Sequence, residues 1–299
     1  MAAVLDYYIA DVFSREAFAG NPLAVVMNTA GLSGEQMQAI AKEFNLSETT
    51  FVERRAADVE AREGVRVRIF TTEEELPFAG HPTLGTASIL KLTAPEVIRD
   101  LTVTLAENVG PIPVRFSGDG LYGEMTQRDP EFGSELDRGE VARLCGLAED
   151  DLNPQAVPQV VSTGTAFAIV VLRSVEALAR LRVNQEEATP WLRSRGARWF
   201  YVMAPAAHEG QDAATIFRAR MQFYGGEDPA TGAAAGCAIS YLVGKGIAPS
   251  DERILVRQGV EMGRPSELFL AARGNAVRVT DVRVAGSTIV VAKGQLFLP

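Results

Sequence analysis

The chain has 299 residues, 47% hydrophobic and 22% charged, a balance ordinary for a globular protein and a length that favours two domains. Its formal net charge of −9 argues against non-specific nucleic-acid binding, which rests on Lys and Arg neutralising phosphates. Apolar runs are broken by Gly, Arg or Asp before they reach the length of a membrane span, and MAAVLDYYIADVF lacks the basic region and cleavage site of a secretory signal, so a cytoplasmic protein is expected.

Read in chain order, β-rich runs come first, at Leu5 to Phe13, Leu23 to Val26, Thr50 to Glu53 and Val65 to Phe70. Between them Ser33 to Phe44 has helical spacing, with Met37, Ile40, Ala41 and Phe44 on one face and a capping box at Ser33 and Gln36. GTASILKL, after FAGHPTLG, reads as a short buried helix. Leu101 to Leu105 and Ile112 to Phe116 read as strands, followed by a turn at Ser117 to Gly120.

The second half repeats this rhythm. Val160 to Val171 is strand-rich around a Ser-Thr-Gly turn. Val175 to Arg182 and Glu186 to Gly196 look helical, and Trp199 to Ala204 and Ala214 to Phe223 look like strands. GGEDPATGAAAGCAISYLVGKG then gives a turn, a proline and a small-residue helix ending at Gly246. Strands are expected at Leu255 to Gln258, Leu268 to Ala271, Val277 to Val279 and Ser287 to Val291. Two cysteines, Cys145 and Cys237, make neither a disulfide framework nor a zinc site, and are expected to be small buried hydrophobes.

A weak internal repeat stands out. VRVRIFTTEEELPFAGHPTLGTASIL and IFRARMQFYGGEDPATGAAAGCAISYL each offer an Arg-bearing strand, a turn, Pro-x-x-Gly and a small-residue helix, and His81-Pro82 matches Asp228-Pro229. Two similar domains with buried central helices would explain it. The plainer reading is that one strand–turn–helix unit resembles another.

Pro82 and Pro229 are expected at the first position of their helices. Small residues around them would leave first-turn N–H groups open to an anion, so an acidic protein could hold a carboxylate without lysine. The expectation is that the two tips face each other across a domain interface, with a carboxylate-bearing ligand between. Helix capping and packing would account for either copy alone. At such a tip His81 would be biased toward neutral imidazole, which donates from one nitrogen and accepts at the other. Asp228 could bind that imidazole or a polar substrate group, or could act as an N-cap. Glu48, in NLSETTFVE, interrupts an apolar stretch near the mouth of a strand, where burial would suit it to acid–base work. A solvated loop carboxylate is the alternative.

Five blocks carry a family resemblance: DVFSREAFAGNPLAVV (11–26), NLSETTFV (45–52), RIFTTEEELPFAGHPTLG (68–85), GGEDPATGAAAG (225–236) and RQGVEMGRPSEL (257–268). Together the chain resembles the PhzF-like phenazine biosynthesis family, which shares the diaminopimelate epimerase fold. The resemblance implies an α+β protein of two similar domains, each a curled mixed or antiparallel sheet, barrel-like, around a central helix. The expected division is 1–118 and 119–283, with the strand at about 284–299 returning to the first domain.

It further implies a homodimer that uses no cofactor or metal, with Glu48 carrying acid–base chemistry on a small carboxylate substrate. Gly80, His81, Asp228, Thr231, Gly232 and Ala233 are the expected substrate-binding residues. Two departures are visible. Ala233 replaces a serine of the phenazine-forming members, which removes one donor to the substrate, and Thr72 replaces a frequent proline. Related epimerases and racemases carry cysteines at the helix tips. Here Cys237 follows Asp228 by nine residues, roughly 13 Å along a helix, too far to stand in for a tip thiol. The function expected is a proton-shifting isomerase. The alternatives are an epimerase or racemase of an amino-acid derivative, or a metabolite-binding protein without chemistry.

Overall fold

The β-branched and aromatic run VLDYYIADV makes the first strand, β1 (Ala3–Val12), which pairs antiparallel with β2 (Asn21–Val26) and is buried on both faces from Ala10 to Val12. Helix α1 (Gly34–Phe44) then crosses over to β3 (Glu48–Glu53), which lies parallel to β2; parallel neighbours require such a crossover. The start of α1 is set by the capping box: Ser33 Oγ accepts from the Gln36 N–H, and the Gln36 side chain accepts from the Ser33 N–H. Met37, Ile40 and Ala41 are its buried residues. A short α2 (Ala57–Glu63) leads into β4 (Val65–Phe70), antiparallel to β3, and β5 (Glu75–Leu76) pairs back onto β4. After α3 (Gly80–Thr93), β6 (Thr102–Glu107) joins parallel to β4, and β7 (Gly110–Phe116) and β8 (Tyr122–Thr126) follow antiparallel. The C-terminal strand pairs with both β8 and β1, closing an eight-stranded barrel.

This computed structural model describes residues 3–118, 120–206, 215–223 and 226–298. They divide into two units, Met1–Thr126 with Ala285–Pro299, and Gln127–Val284. Among the described residues no helix is long and apolar enough to cross a membrane.

Helix α3 runs through the barrel, touching β1, β2, β3, β6, β7 and β8, and every residue from Gly80 to Leu90 is buried. Its polar side chains therefore need partners from the wall. Thr86 Oγ1 lies 2.8 Å from Thr50 Oγ1, and Ser88 Oγ lies 3.1 Å from Thr288 Oγ1. Gly85 permits close approach: a Cβ there would sit 2.6 Å from Leu23 Cδ2 and 2.7 Å from Val12 Cγ2. Thr83 Oγ1 is 2.7 Å from the Ala79 carbonyl oxygen and 2.6 Å from Glu107 Oε1. Glu107 is 5% exposed, and burial pushes its carboxyl up to about 8, with Thr83 and Arg66 only partly offsetting this. Glu107 is thus held mostly in its neutral form at pH 7.

The second unit builds the same pattern. It starts with β9 (Glu131–Glu135), α4 (Arg138–Leu144), β10 (Gln159–Ser162) and β11 (Ala166–Val171). Next come α5 (Val175–Ala179), α6 (Gln185–Arg193), β12 (Trp199–Pro205), β13 (Ile216–Arg220), and the hairpin pair β14 (Gln222–Phe223) and β15 (Gly226–Glu227). It ends with α7 (Gly232–Gly244), β16 (Ile254–Gln258), β17 (Ser266–Gly274) and β18 (Val279–Leu298). The β10–β11 hairpin is followed by β12 parallel to β11, β13 antiparallel to β12, then α7, then β16 parallel to β13 and β17 antiparallel to β16. The run from β1 to β7 shows the same order of pairings around α3. Helix α7 is buried from Gly232 to Val243 and packs on β10, β11 and β17, while α4, α5 and α6 share a separate apolar cluster with β10, β11 and β12.

Some expectations need correction. Val277 to Val279 and Ser287 to Val291 are not separate strands. Val277 is 93% exposed in a turn where Asn275 Oδ1 accepts its N–H, and β18 then runs unbroken through Asp281 (φ 54), because β17, β8 and β1 all pair with it. The expected helix Val175 to Arg182 stops at Ala179. β8, β9, α2 and α4 were not anticipated. The strand expected at Ala214 to Phe223 splits into β13 and β14, and the parts at Ala214 and at Asp119 of the Ser117–Gly120 turn lie outside the described residues.

The repeat extends to a matching ion pair. Arg68 on β4 and Glu75 on β5 are seven residues apart and bonded through two nitrogens at 2.8 and 2.7 Å. Arg220 on β13 and Glu227 on β15 are also seven apart, at 2.8 and 2.6 Å. Each pair pins the turn that precedes a central helix. The pairs differ in burial: side-chain exposures are 21% and 28% for the first, and 5% and 13% for the second.

Two predictions follow from this packing. Glu227→Gln leaves a buried guanidinium without its counter-charge and should cost about 3 kcal/mol, whereas Glu75→Gln should cost about 1 kcal/mol or less; urea midpoints of the two variants, measured side by side, check the ranking. For Glu107, the unfolded carboxyl ionises near 4.5 and the folded one near 8. The folded state keeps the extra proton, so this group's contribution is complete below pH 4.5 and is lost as pH rises through about 8. Glu107→Gln should therefore flatten the fall in stability across that window, read from denaturant unfolding at a series of pH values.

Candidate active site

The two central helices do not begin at their prolines. Pro82 is the third residue of α3, after Gly80 and His81, and Pro229 lies three residues ahead of Gly232, where α7 starts. The correction has a simple cause. Extended Ala79 opens α3, and proline is tolerated anywhere in a first turn, where no helical partner is needed for its nitrogen. In α7, Gln258 holds the preceding loop: its Nε2 donates to the Asp228 carbonyl oxygen at 2.7 Å, and its Oε1 accepts from the Thr231 N–H at 3.1 Å. The amides of Gly80 and His81 therefore precede the first α3 bond, from the Thr83 N–H to the Ala79 oxygen. Those of Gly232, Ala233 and Ala234 precede the first α7 bond, from the Ala235 N–H to the Thr231 oxygen. Both sets sit at the positive end of a helix dipole.

In the first unit the structure brings Glu48 and His81 together. Glu48 opens β3 opposite Leu23 of β2, and its side chain is 14% exposed, with Oε2 fully buried. His81 Nε2 lies 3.5 Å from that oxygen. The other ring nitrogen, Nδ1, lies 3.1 Å from Asn21 Nδ2. The imidazole is 3% exposed, and burial holds it down at about 3, so it is neutral at physiological pH. Gly80 is buried beside it as the first residue of α3.

In the second unit Asp228 and Thr231 come together. Thr231 Oγ1 donates to Asp228 Oδ2 at 2.6 Å and accepts from Gln258 Nε2 at 2.9 Å. Tyr201 OH donates to Gln258 Oε1 at 3.1 Å. This orders the hydroxyl proton of Thr231 toward the carboxylate. Asp228 is 4% exposed, and Gly232 and Ala233 are buried at the start of α7. Gln127 Nε2 donates to the Gly232 carbonyl oxygen at 2.9 Å and Thr163 Oγ1 donates to Gln127 Oε1 at 2.6 Å, fixing the first turn.

Sequence reasoning passed over Asn21, Gln258, Tyr201 and Gln127 as functional candidates. The available signal was a lone amide at the end of an apolar strand, in NPLAVV and in ILVRQ. Both cysteines are free and buried, as expected, and burial pushes Cys145 up to about 12 and Cys237 up to about 11. Cys237 is the sixth residue of α7 and faces Thr163 Oγ1 at 3.5 Å. At neutral pH neither sulfur supplies a thiolate.

Comparisons with known proteins agree with one another. The family model described as phenazine biosynthesis-like protein matches residues 10–294. An uncharacterised isomerase of Mesorhizobium japonicum is 35% identical, covering 98% of this chain and 99% of the relative. The trans-2,3-dihydro-3-hydroxyanthranilate isomerase of Pseudomonas aeruginosa is 36% identical, again covering 98% and 99%. The crystal structure of a PhzF-family protein of Bacillus anthracis superposes with a TM-score of 0.83 at 22% identity, covering 98% of this chain and 99% of that one, a likeness of fold. With its fold, its two buried central helices and matches over nearly its whole length, the chain belongs to the phenazine biosynthesis-like, or PhzF, family of isomerases.

Proposed function

We propose that this protein is a cofactor-independent isomerase that shifts a proton within a small unsaturated carboxylic acid, with Glu48 as the acid–base group. The observation that carries this reading is the pairing of a largely buried carboxylate with a buried, neutral histidine 3.5 Å away. Glu48 removes a proton from a carbon acidified by an adjacent unsaturated or carboxyl-bearing system. The electron pair moves into that system, the double bond migrates, and the proton returns to a different carbon. No redox partner is required, because substrate and product are isomers.

The remaining residues bind and orient. The amides of Gly80 and His81 and those of Gly232 and Ala233 suit carboxylate oxygens and developing negative charge. Asp228, held by Thr231, suits a donor such as an amino or hydroxyl group. Ala233 brings no hydroxyl, so the substrate class is a relative of trans-2,3-dihydro-3-hydroxyanthranilate whose polar groups do not need a donor at that point. A cytoplasmic homodimer goes with this reading, and light scattering of the purified protein checks the dimer.

The decisive experiment is incubation in D₂O with trans-2,3-dihydro-3-hydroxyanthranilate and other small unsaturated cyclic carboxylic acids, followed by mass spectrometry and NMR. Deuterium should enter at the carbon that receives the proton. Glu48→Gln, which keeps the shape and removes the base, should slow this by at least about a hundredfold. Turnover by Glu48→Gln at the wild-type rate would remove Glu48 from the mechanism. Thermal stabilisation by an acid with no solvent exchange would favour a binding protein instead.

A further inference from the structure

We infer that Asn21 is a positioning residue that fixes the tautomer of His81, so that Nε2–H is a hydrogen-bond donor on the Glu48 side and proton acceptance is left to the carboxylate. The inference rests on the reading of Glu48 as the acid–base group and deepens it.

The backbone first explains how an amide reaches this place. Gly20, just before β2, has φ +70, and a Cβ there would lie 2.4 Å from the Val12 carbonyl oxygen. Only glycine fits, and the strand that follows begins with Asn21 opposite Val12, completely buried. Residues two apart on a strand share a face, so Asn21 projects with Leu23, whose Cδ2 is the atom that crowds Gly85 on α3. Leu23 is in turn the register partner of Glu48 on β3. Asn21 and Glu48 thus flank the start of α3 from adjacent strands, and His81 lies between their functional groups.

Chemistry then assigns the proton. A ring this deeply buried is neutral and carries one N–H. Asn21 Nδ2 can only donate, so the Nδ1 atom 3.1 Å from it accepts, and the proton is on Nε2. The surroundings of Nε2 agree: among the described residues it makes no formed hydrogen bond, but a carboxylate oxygen of Glu48 lies 3.5 Å away, and a nearby carboxylate favours N–H over a lone pair at that nitrogen. In this form His81 can stabilise negative charge developing on a substrate oxygen, as preorganised donors do, but cannot compete with Glu48 for the substrate proton. The opposite tautomer would turn a second base toward the same place.

The test is the long-range ¹H–¹⁵N correlation spectrum of the uniformly labelled full-length protein. The chain has only two histidines, and a His208→Gln variant assigns the other ring. His81 should show a protonated Nε2 and a bare Nδ1, unchanged from about pH 8 down to about pH 5. Asn21→Asp, which offers only acceptors, should move a proton onto Nδ1. A bare Nε2 in the wild-type protein would overturn the inference, as would an unchanged ring in folded Asn21→Asp. The wild-type spectrum decides by itself where that variant does not fold. Because it reports a proton position and not turnover, it stands or falls apart from the isomerase assay.

Discussion

A helix enclosed by a barrel has no side on which water can satisfy a polar group, and that constraint shapes the first unit. Each polar side chain on α3 must be answered from the wall or from the helix itself. Thr86 is answered by Thr50, Ser88 by Thr288, Thr83 by Glu107 and His81 by Asn21. Since those partners sit on different strands, the helix is held in register with the barrel by directional bonds as well as by packing. Gly85 lets it approach closely enough for the bonds to form. The cost of burying His81 is what keeps it neutral, so the device that positions the ring also sets its chemistry.

The second unit meets the same constraint with other residues. Its central helix is richer in alanine and glycine, and the polar work moves to the loop before it, where Gln258 and Thr231 organise Asp228. The order of strand pairings and the arginine–glutamate pair seven residues apart are shared by the units, while the polar groups at the helix starts are not. A duplicated scaffold thus carries two different ends, a carboxylate with a neutral imidazole in one and a hydroxyl-held carboxylate in the other.

Much of this was readable before any coordinates. The capping box gave the start of α1, β4 matched its apolar alternation residue for residue, and the small-residue stretches became the buried helices α3 and α7. The fold class followed from the family blocks. What failed were features decided by neighbours distant in sequence. The prolines do not mark the helix starts, because Gln258 controls the loop around Pro229 from another strand. β18 is continuous where local pattern suggested two pieces, because its partners run alongside it. Glu48 could have been a solvated loop carboxylate on spacing alone; only the fold places it beside His81. Asn21 lay within a quoted motif, but nothing local shows that its amide meets a ring sixty residues away.

The long strand β18 has a consequence for biosynthesis. Its first residues complete the second unit, and its last ones pair with β1, so the N-terminal barrel is sealed by chain that leaves the ribosome after everything in between. During translation the early strands wait with an unpaired edge while the later unit gathers its own, which exposes them to wrong partners for as long as synthesis lasts. The pairing of β1 with β18 thus spans more of the chain than any other strand pairing of the barrel, and closing it costs the most loop entropy.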